Sequence, residues 1–138
     1  MVITLPLSVV LDTNFLTVPA QFGVDVFSEA ERVLEQSIEF ILLSSVLEEI
    51  QAKLSRSKKT ERRMFSVALD LTDRCKIVDI DQSMRELLVD DQLLEYVQAV
   101  NGVLATNDRE LRERAAERKI PVLMLRGKTH LELRGSIF

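Results

Sequence analysis

Six carboxylates in four places mark where this sequence can do chemistry. Asp12 closes the apolar run Ser8-Val9-Val10-Leu11, and Asp108 comes just after Val103-Leu104-Ala105-Thr106, with Glu48-Glu49 and Asp90-Asp91 between them. Carboxylates gathered in one cleft repel one another unless a cation offsets them, and a hard divalent ion is the natural partner of oxygen ligands and water. The chain has one histidine, His130, and one cysteine, Cys75, so it offers no soft-ligand zinc set and no internal disulfide. The metal expected here is held by oxygen.

These residues need elements to bring them together. Short aliphatic runs bounded by turn residues predict strands over residues 8–12, 38–43, 76–80, 103–106 and 121–125. Apolar residues at three- and four-residue spacing predict helices over 25–37, 45–54, 58–74, 91–101 and 109–119. Alternation of the two predicts an α/β fold with a central parallel sheet of about five strands, and ligands bind at the carboxyl edge of such a sheet. Asp12 and Asp108 are both delivered there. The 138 residues suit a single domain, 1–138, with a sizeable core. The longest apolar stretches are strand-sized and the N-terminus lacks a basic flank, so a soluble, cytoplasmic protein with no membrane association is expected. Four unclustered glycines exclude a P-loop and a dinucleotide fingerprint.

Acidic residues also start helices, and that ordinary use competes with a chemical one. Ser45-Val46-Leu47-Glu48 fits a capping box, which gives Glu48 a structural task and leaves Glu49, at the edge of the apolar stripe, for chemistry. Asp90 fits an N-cap with Val89 and Leu94 as a hydrophobic staple, which leaves Asp91. Asp108 has the same competing use as a cap. Asp12 has the least need of one, because Thr13 and Asn14 already supply side-chain hydrogen bonds for the turn.

Taken in order, Val9-Val10-Leu11-Asp12-Thr13-Asn14-Phe15-Leu16, Ser45-Val46-Leu47-Glu48-Glu49-Ile50, Asp90-Asp91-Gln92-Leu93-Leu94 and Ala105-Thr106-Asn107-Asp108-Arg109-Glu110-Leu111 resemble the four acidic motifs of the PIN-domain ribonucleases. The closing Ile120-Pro121-Val122-Leu123-Met124-Leu125-Arg126-Gly127-Lys128 is similar to the branch that includes the nucleolar endonuclease of small-subunit pre-rRNA processing and its archaeal relatives. VapC-type toxins are more distant in this reading, and the zinc-binding segment of the other rRNA-maturing branch is missing. The resemblance implies a three-layer α/β/α domain whose quartet Asp12, Glu49, Asp91 and Asp108 binds one or two Mg²⁺ or Mn²⁺ ions. Asp91 is preferred to Asp90 for its spacing to Gly102, and Thr106 and Asn14 are expected to support the aspartates. It implies metal-dependent endoribonuclease activity in small-subunit rRNA processing or structured-RNA maturation. The alternatives are a VapC-type toxin with an antitoxin partner and a non-catalytic, RNA-binding ribosome-assembly factor. A homodimer is compatible with either.

Charge distribution bears on the RNA. Residues 53–63 hold six cations against Glu61, a charge of +5 in a chain whose total is −4, so the remainder carries −9. Lys58, Lys59, Arg62 and Arg63 in this segment, with Arg126 and Lys128 in a second group that also includes Arg134, are the expected phosphate contacts. A solvated helical connection is the competing reading of the first group. Six Phe, one Tyr and no Trp leave few platforms for base stacking, so recognition is expected to rest on phosphates and RNA shape. Cys75 is expected in the core, and His130 at the surface or against substrate.

Overall fold

Val9, Val10 and Leu11 are consecutive, point to alternate faces, and are all fully buried, so the strand they form must be covered on both sides. The computed structural model describes residues 5–137. Its elements run β1 (Leu7–Leu11), α1 (Thr13–Leu16), α2 (Val18–Phe22), α3 (Val26–Leu34), β2 (Ile38–Leu43), α4 (Ser44–Arg56) and α5 (Lys59–Leu71). A 3₁₀ turn at Thr72–Arg74 then leads to β3 (Lys76–Val78), α6 (Gln82–Arg85), α7 (Val89–Val100), β4 (Val103–Ala105), α8 (Arg109–Glu117), β5 (Val122–Arg126) and β6 (His130–Arg134). The six strands form one sheet in the order β3-β2-β1-β4-β5-β6. The first five are parallel and β6 is antiparallel to β5.

The expected α/β architecture is present, with β6 added at one edge. Successive strands build outward from β1 through β2 to β3, and the chain then returns to the other side of β1 with β4. That reversal opens the crevice between β1 and β4 at their carboxyl ends, where ligands of open α/β sheets bind.

Local chemistry explains the elements that the sequence reading omits. Residues 13–22 form two short helices, the second carrying a proline in its first turn and closed by Gly23 in the left-handed region. The three-residue β5–β6 connection, Gly127 to Thr129, turns through positive φ at Gly127 and Lys128, and the Thr129 N–H donates to the Arg126 carbonyl at 3.3 Å. The helix predicted to reach residue 37 stops at Leu34, because Glu35 takes a left-handed conformation as its C-cap.

One glycine is required by close approach. After α7, capped by Asn101 at φ 56°, the chain turns into β4, and a Cβ on Gly102 would lie 2.6 Å from the Ser8 carbonyl oxygen. Gly102→Ala must therefore part β1 from the entry to β4, at a cost of about 1–3 kcal/mol. Thermal melting should fall by several degrees, on the scale of about 2–4 °C per kcal/mol for a chain of this size. An unchanged melting temperature would mean that this end of the β1–β4 pair yields freely.

Candidate active site

Register places two aspartates side by side. Leu11 pairs with Ala105, and the Asp12 N–H donates to the Ala105 carbonyl at 3.0 Å, so the residue after β1 lies beside the residue after β4. That neighbour is Thr106, fully buried, whose hydroxyl donates to Asp12 Oδ2 at 2.8 Å and accepts from the Asp108 N–H at 3.1 Å. One threonine thus fixes both strand-end acids. Asp12 Oδ1 accepts from the Thr13 N–H at 2.8 Å, and Asp108 Oδ1 caps α8 by accepting from the Leu111 N–H at 3.2 Å. Asn14 acts one step further out: its Oδ1 accepts from the Asn107 N–H, and Asn107 Oδ1 accepts from the Leu125 N–H, which holds the loop carrying Asp108 against β5.

The electrostatics join two more elements to this pair. Burial pushes the Asp12 carboxyl up to about 6; hydrogen bonds from Thr106 and Thr13 act against it, and the charges of Asp90 and Glu49 add to it. Asp90 is also raised, first by burial and then by Asp108, with Arg114 opposing and Glu49 and Asp91 adding. Asp90 and Glu49 thus bear on Asp12, and Asp108 and Glu49 bear on Asp90, from the ends of β1 and β4 and from α4 and α7. Asp91 has a different partner. Its carboxylate accepts from the Arg114 guanidinium on α8.

Two expected caps do not form. β2 passes directly into α4, so Leu43 is the N-cap and Ser45 already lies inside the first turn, with its hydroxyl buried and unpaired. Glu48 is exposed and bonds Arg85 of α6 through both oxygens, at 3.3 Å each. α7 starts at Val89 with Leu88 as its N-cap, so Asp90 and Asp91 both sit in the first turn and neither closes it. Gln92 helps to fix that start, donating from Nε2 to the Leu87 carbonyl at 2.9 Å.

Sequence reasoning missed Arg114 and Lys53 as members of this region. Lys53 lies 3.4 Å from Glu49, one turn along α4, a spacing visible in the sequence. Nothing in the sequence links residue 114 to residue 91. Among the described residues, no group of three or more His, Cys, Asp or Glu is arranged to hold a metal ion outright. Lys53 engages Glu49, Arg114 engages Asp91, and the α8 cap engages Asp108.

The basic residues expected to contact phosphate form two groups. Lys58, Lys59, Arg62 and Arg63 are exposed at the start of α5, and none forms an ion pair with a described residue. Arg126 lies 3.6 Å from Glu132, and Lys128 stands over the Phe22 ring at 5.9 Å, both on the β5–β6 hairpin. α2, which carries Phe22, packs against α5. Cys75 is half-buried, and burial pushes its thiol up to about 11, which removes it from nucleophilic chemistry. His130 is exposed and bonds Thr129. Among the described residues, no helix is long and apolar enough to cross a membrane.

Comparison with known proteins places this geometry. A family profile described as "PIN like domain" matches residues 9–128. Ribonuclease VapC4 of Methanocaldococcus jannaschii is 33% identical over 132 residues, covering 94% of this chain and 98% of that protein. Among solved structures, the PIN domain endonuclease Utp24 superposes with a TM-score of 0.76 at 21% identity, over 96% of this chain and 94% of that one. VapBC2 from Rickettsia felis, bound to a DNA fragment from its promoter, gives a TM-score of 0.56 at 22% identity, over 77% of this chain and 92% of that one. The stronger of these two structural likenesses carries the Utp24 name, while the sequence likeness carries the VapC name. The profile match over most of the chain, together with a full-length relative at 33% identity, establishes that this chain belongs to the PIN-like domain family.

Proposed function

We propose that the protein is a divalent-metal-dependent endoribonuclease, with Mg²⁺ or Mn²⁺ held among Asp12, Glu49, Asp90 and Asp108. The observation that carries this reading is the buried Asp12 carboxylate, raised to about 6 and repelled by Asp90 and Glu49, at the crevice between β1 and β4. The donor set suits a hard cation: every candidate ligand is an oxygen, and the charge among them is only partly offset by Lys53 and Arg114. Three further oxygens, Thr13 Oγ1, Ser45 Oγ and Gln92 Oε1, are buried without partners on α1, α4 and α7, the elements that carry or follow the acids.

When bound, such a cation lowers the pKa of its water and offsets charge on the phosphoryl oxygens. The chain's own residues prepare that site. Thr106 holds Asp12 and Asp108 in fixed relation, Glu49, now paired with Lys53, would turn to the cation, and Asp91 keeps Arg114 beside Asp90. Asp90 thus takes the place that spacing alone gives to Asp91. Lys58, Lys59, Arg62 and Arg63 remain our candidates for phosphate contacts, along with Arg126 and Lys128.

The leading biological role is maturation of small-subunit rRNA or another structured RNA, supported by the closing segment of residues 120–128 and by the Utp24-like fold. A VapC-type toxin with an antitoxin partner is the second reading, supported by the VapC4 likeness. Incubating the purified protein with structured and single-stranded RNA in Mn²⁺, Mg²⁺ or chelator tests the chemistry that both share. Internal cleavage in metal and none in chelator is expected. Cleavage that survives chelation would remove the metal from the mechanism, and RNA bound but never cut would favour an assembly factor.

A further inference from the structure

We infer that the groove between α8 and the β5–β6 hairpin is a track for the phosphodiester backbone of the RNA, an inference that rests on the ribonuclease reading above. The groove encloses about 970 Å³ and has an apolar floor of Ile120, Val122 and Met124. Its walls carry Arg109, Arg112, Lys119, Arg126 and Arg134. The carboxylates that answer these five cations are Glu113, 3.2 Å from Arg109, and Glu132, shared by Arg126 and Arg134 at 3.6 Å each. In a chain of net charge −4 this surface is opposite in sign to the rest.

One of its cations is also poorly satisfied. Arg112 Nη1 rests on Met124 Sδ, a weak acceptor, at 2.9 Å, and its Nε is buried with no hydrogen-bond partner. A half-buried guanidinium in this condition gains most from an anion with several acceptor oxygens, and Arg binds phosphate with two parallel hydrogen bonds where it can. The position of the groove favours a long polyanion over a small one. Arg109 directly follows Asp108, so one end meets the carboxylate edge, and α8 carries the track about 14 Å away from it. No aromatic side chain lines the groove, so it would take backbone and ribose with little discrimination among bases. An acidic protein segment shares the charge but has no need of continuity with Asp108.

The test uses the full chain carrying Asp12→Asn, to prevent cleavage, and a labelled single-stranded RNA titrated at several salt concentrations. Lys119→Glu and Arg134→Glu together reverse two exposed charges of the track, and Lys119→Gln with Arg134→Gln is the milder pair if the first folds poorly. The expected result is a loss of affinity of at least about tenfold, with the slope of log affinity against log salt reduced by about 1.4, roughly 0.7 for each lost phosphate contact on a single strand. Lys76→Glu, on β3 at the opposite edge of the sheet, should change neither by much. RNA bound equally by the parent and by the groove variants would overturn the track and leave the groove to an acidic protein segment. An Asp12→Asn parent that binds no RNA at all would overturn the ribonuclease reading as well.

Discussion

Asp12→Asn is expected to lower RNA cleavage on the order of a thousandfold while making the metal-free protein more stable near neutral pH. The loss of activity follows from removing a buried charge of the proposed cation site, since several kcal/mol of transition-state stabilisation corresponds to about this factor. The gain in stability follows from burial. A carboxyl raised from 3.8 to about 6 on folding costs the folded state on the order of 3 kcal/mol once ionised. Asparagine removes that cost and keeps the bond from the Thr13 N–H to its oxygen, while its amide donates to the Thr106 oxygen in place of the bond that the Thr106 hydroxyl gives to Asp12, so part of the gain is lost to the displaced Thr106 proton. A gain of about 1–3 kcal/mol is expected in chelator.

The pH dependence gives the sign a second check. Between about 4 and 6 the folded protein holds a proton on Asp12 that the unfolded chain has released, so acidification from pH 7 favours the folded state at this residue. Asp25, Glu29 and Asp81, held low by their hydrogen bonds, work in the opposite direction as pH falls. Comparing the variant with the parent cancels those other groups. The stability difference should be full above about pH 7 and vanish below about pH 4, as melting curves in chelator can show. Divalent metal should then raise the melting temperature of the parent and not that of Asp12→Asn. A variant less stable than its parent at every pH would mean that the cap Asp12 places on α1 outweighs the cost of its buried charge.

How much of this could be read from the sequence depends on how local each feature is. Strands β1, β2 and β4 declare themselves, because a run such as Val9-Val10-Leu11 is apolar on both faces and ends in a polar turn. The delivery of Asp12 and Asp108 to one edge followed from those strands alone. β6 was equally local, since Leu131 and Leu133 alternate with His130, Glu132 and Arg134, but its strand is half exposed and lies after the last long apolar run. The helix starts were not local. Ser45 and Asp90 both fit cap patterns, yet β2 runs into α4 without a turn, and α7 begins at Val89 with Gln92 reaching back to Leu87. A cap pattern specifies which bonds are possible, and the path of the incoming chain decides which are made. The pairing of Arg114 with Asp91 joins two helices that no periodicity connects.

Asp90→Asn is therefore expected to damage cleavage far more than Asp91→Asn, by about a hundredfold against less than tenfold, the reverse of what spacing to Gly102 suggests. Adjacent residues on a helix point about 100° apart, so the two carboxylates of α7 cannot share one direction. Asp90 lies where burial and the charges of Asp108 and Glu49 raise it, which is the environment a cation would relieve. Asp91 instead holds Arg114 across the α7–α8 gap. Losing that partly exposed pair should cost about 0.5–1 kcal/mol of stability and leave Arg114 free to shift toward Asp90, weakening metal binding without abolishing it. Two measurements on each variant separate the roles: the metal-induced rise in melting temperature and single-turnover cleavage at saturating RNA. Asp90→Asn should lose both while melting no lower than the parent in chelator, and Asp91→Asn should melt lower in chelator yet retain a metal-induced rise. If Asp91→Asn is the variant that loses its metal response, then Asp91 leaves Arg114 to bind the cation, and Asp90 is the residue that supports it.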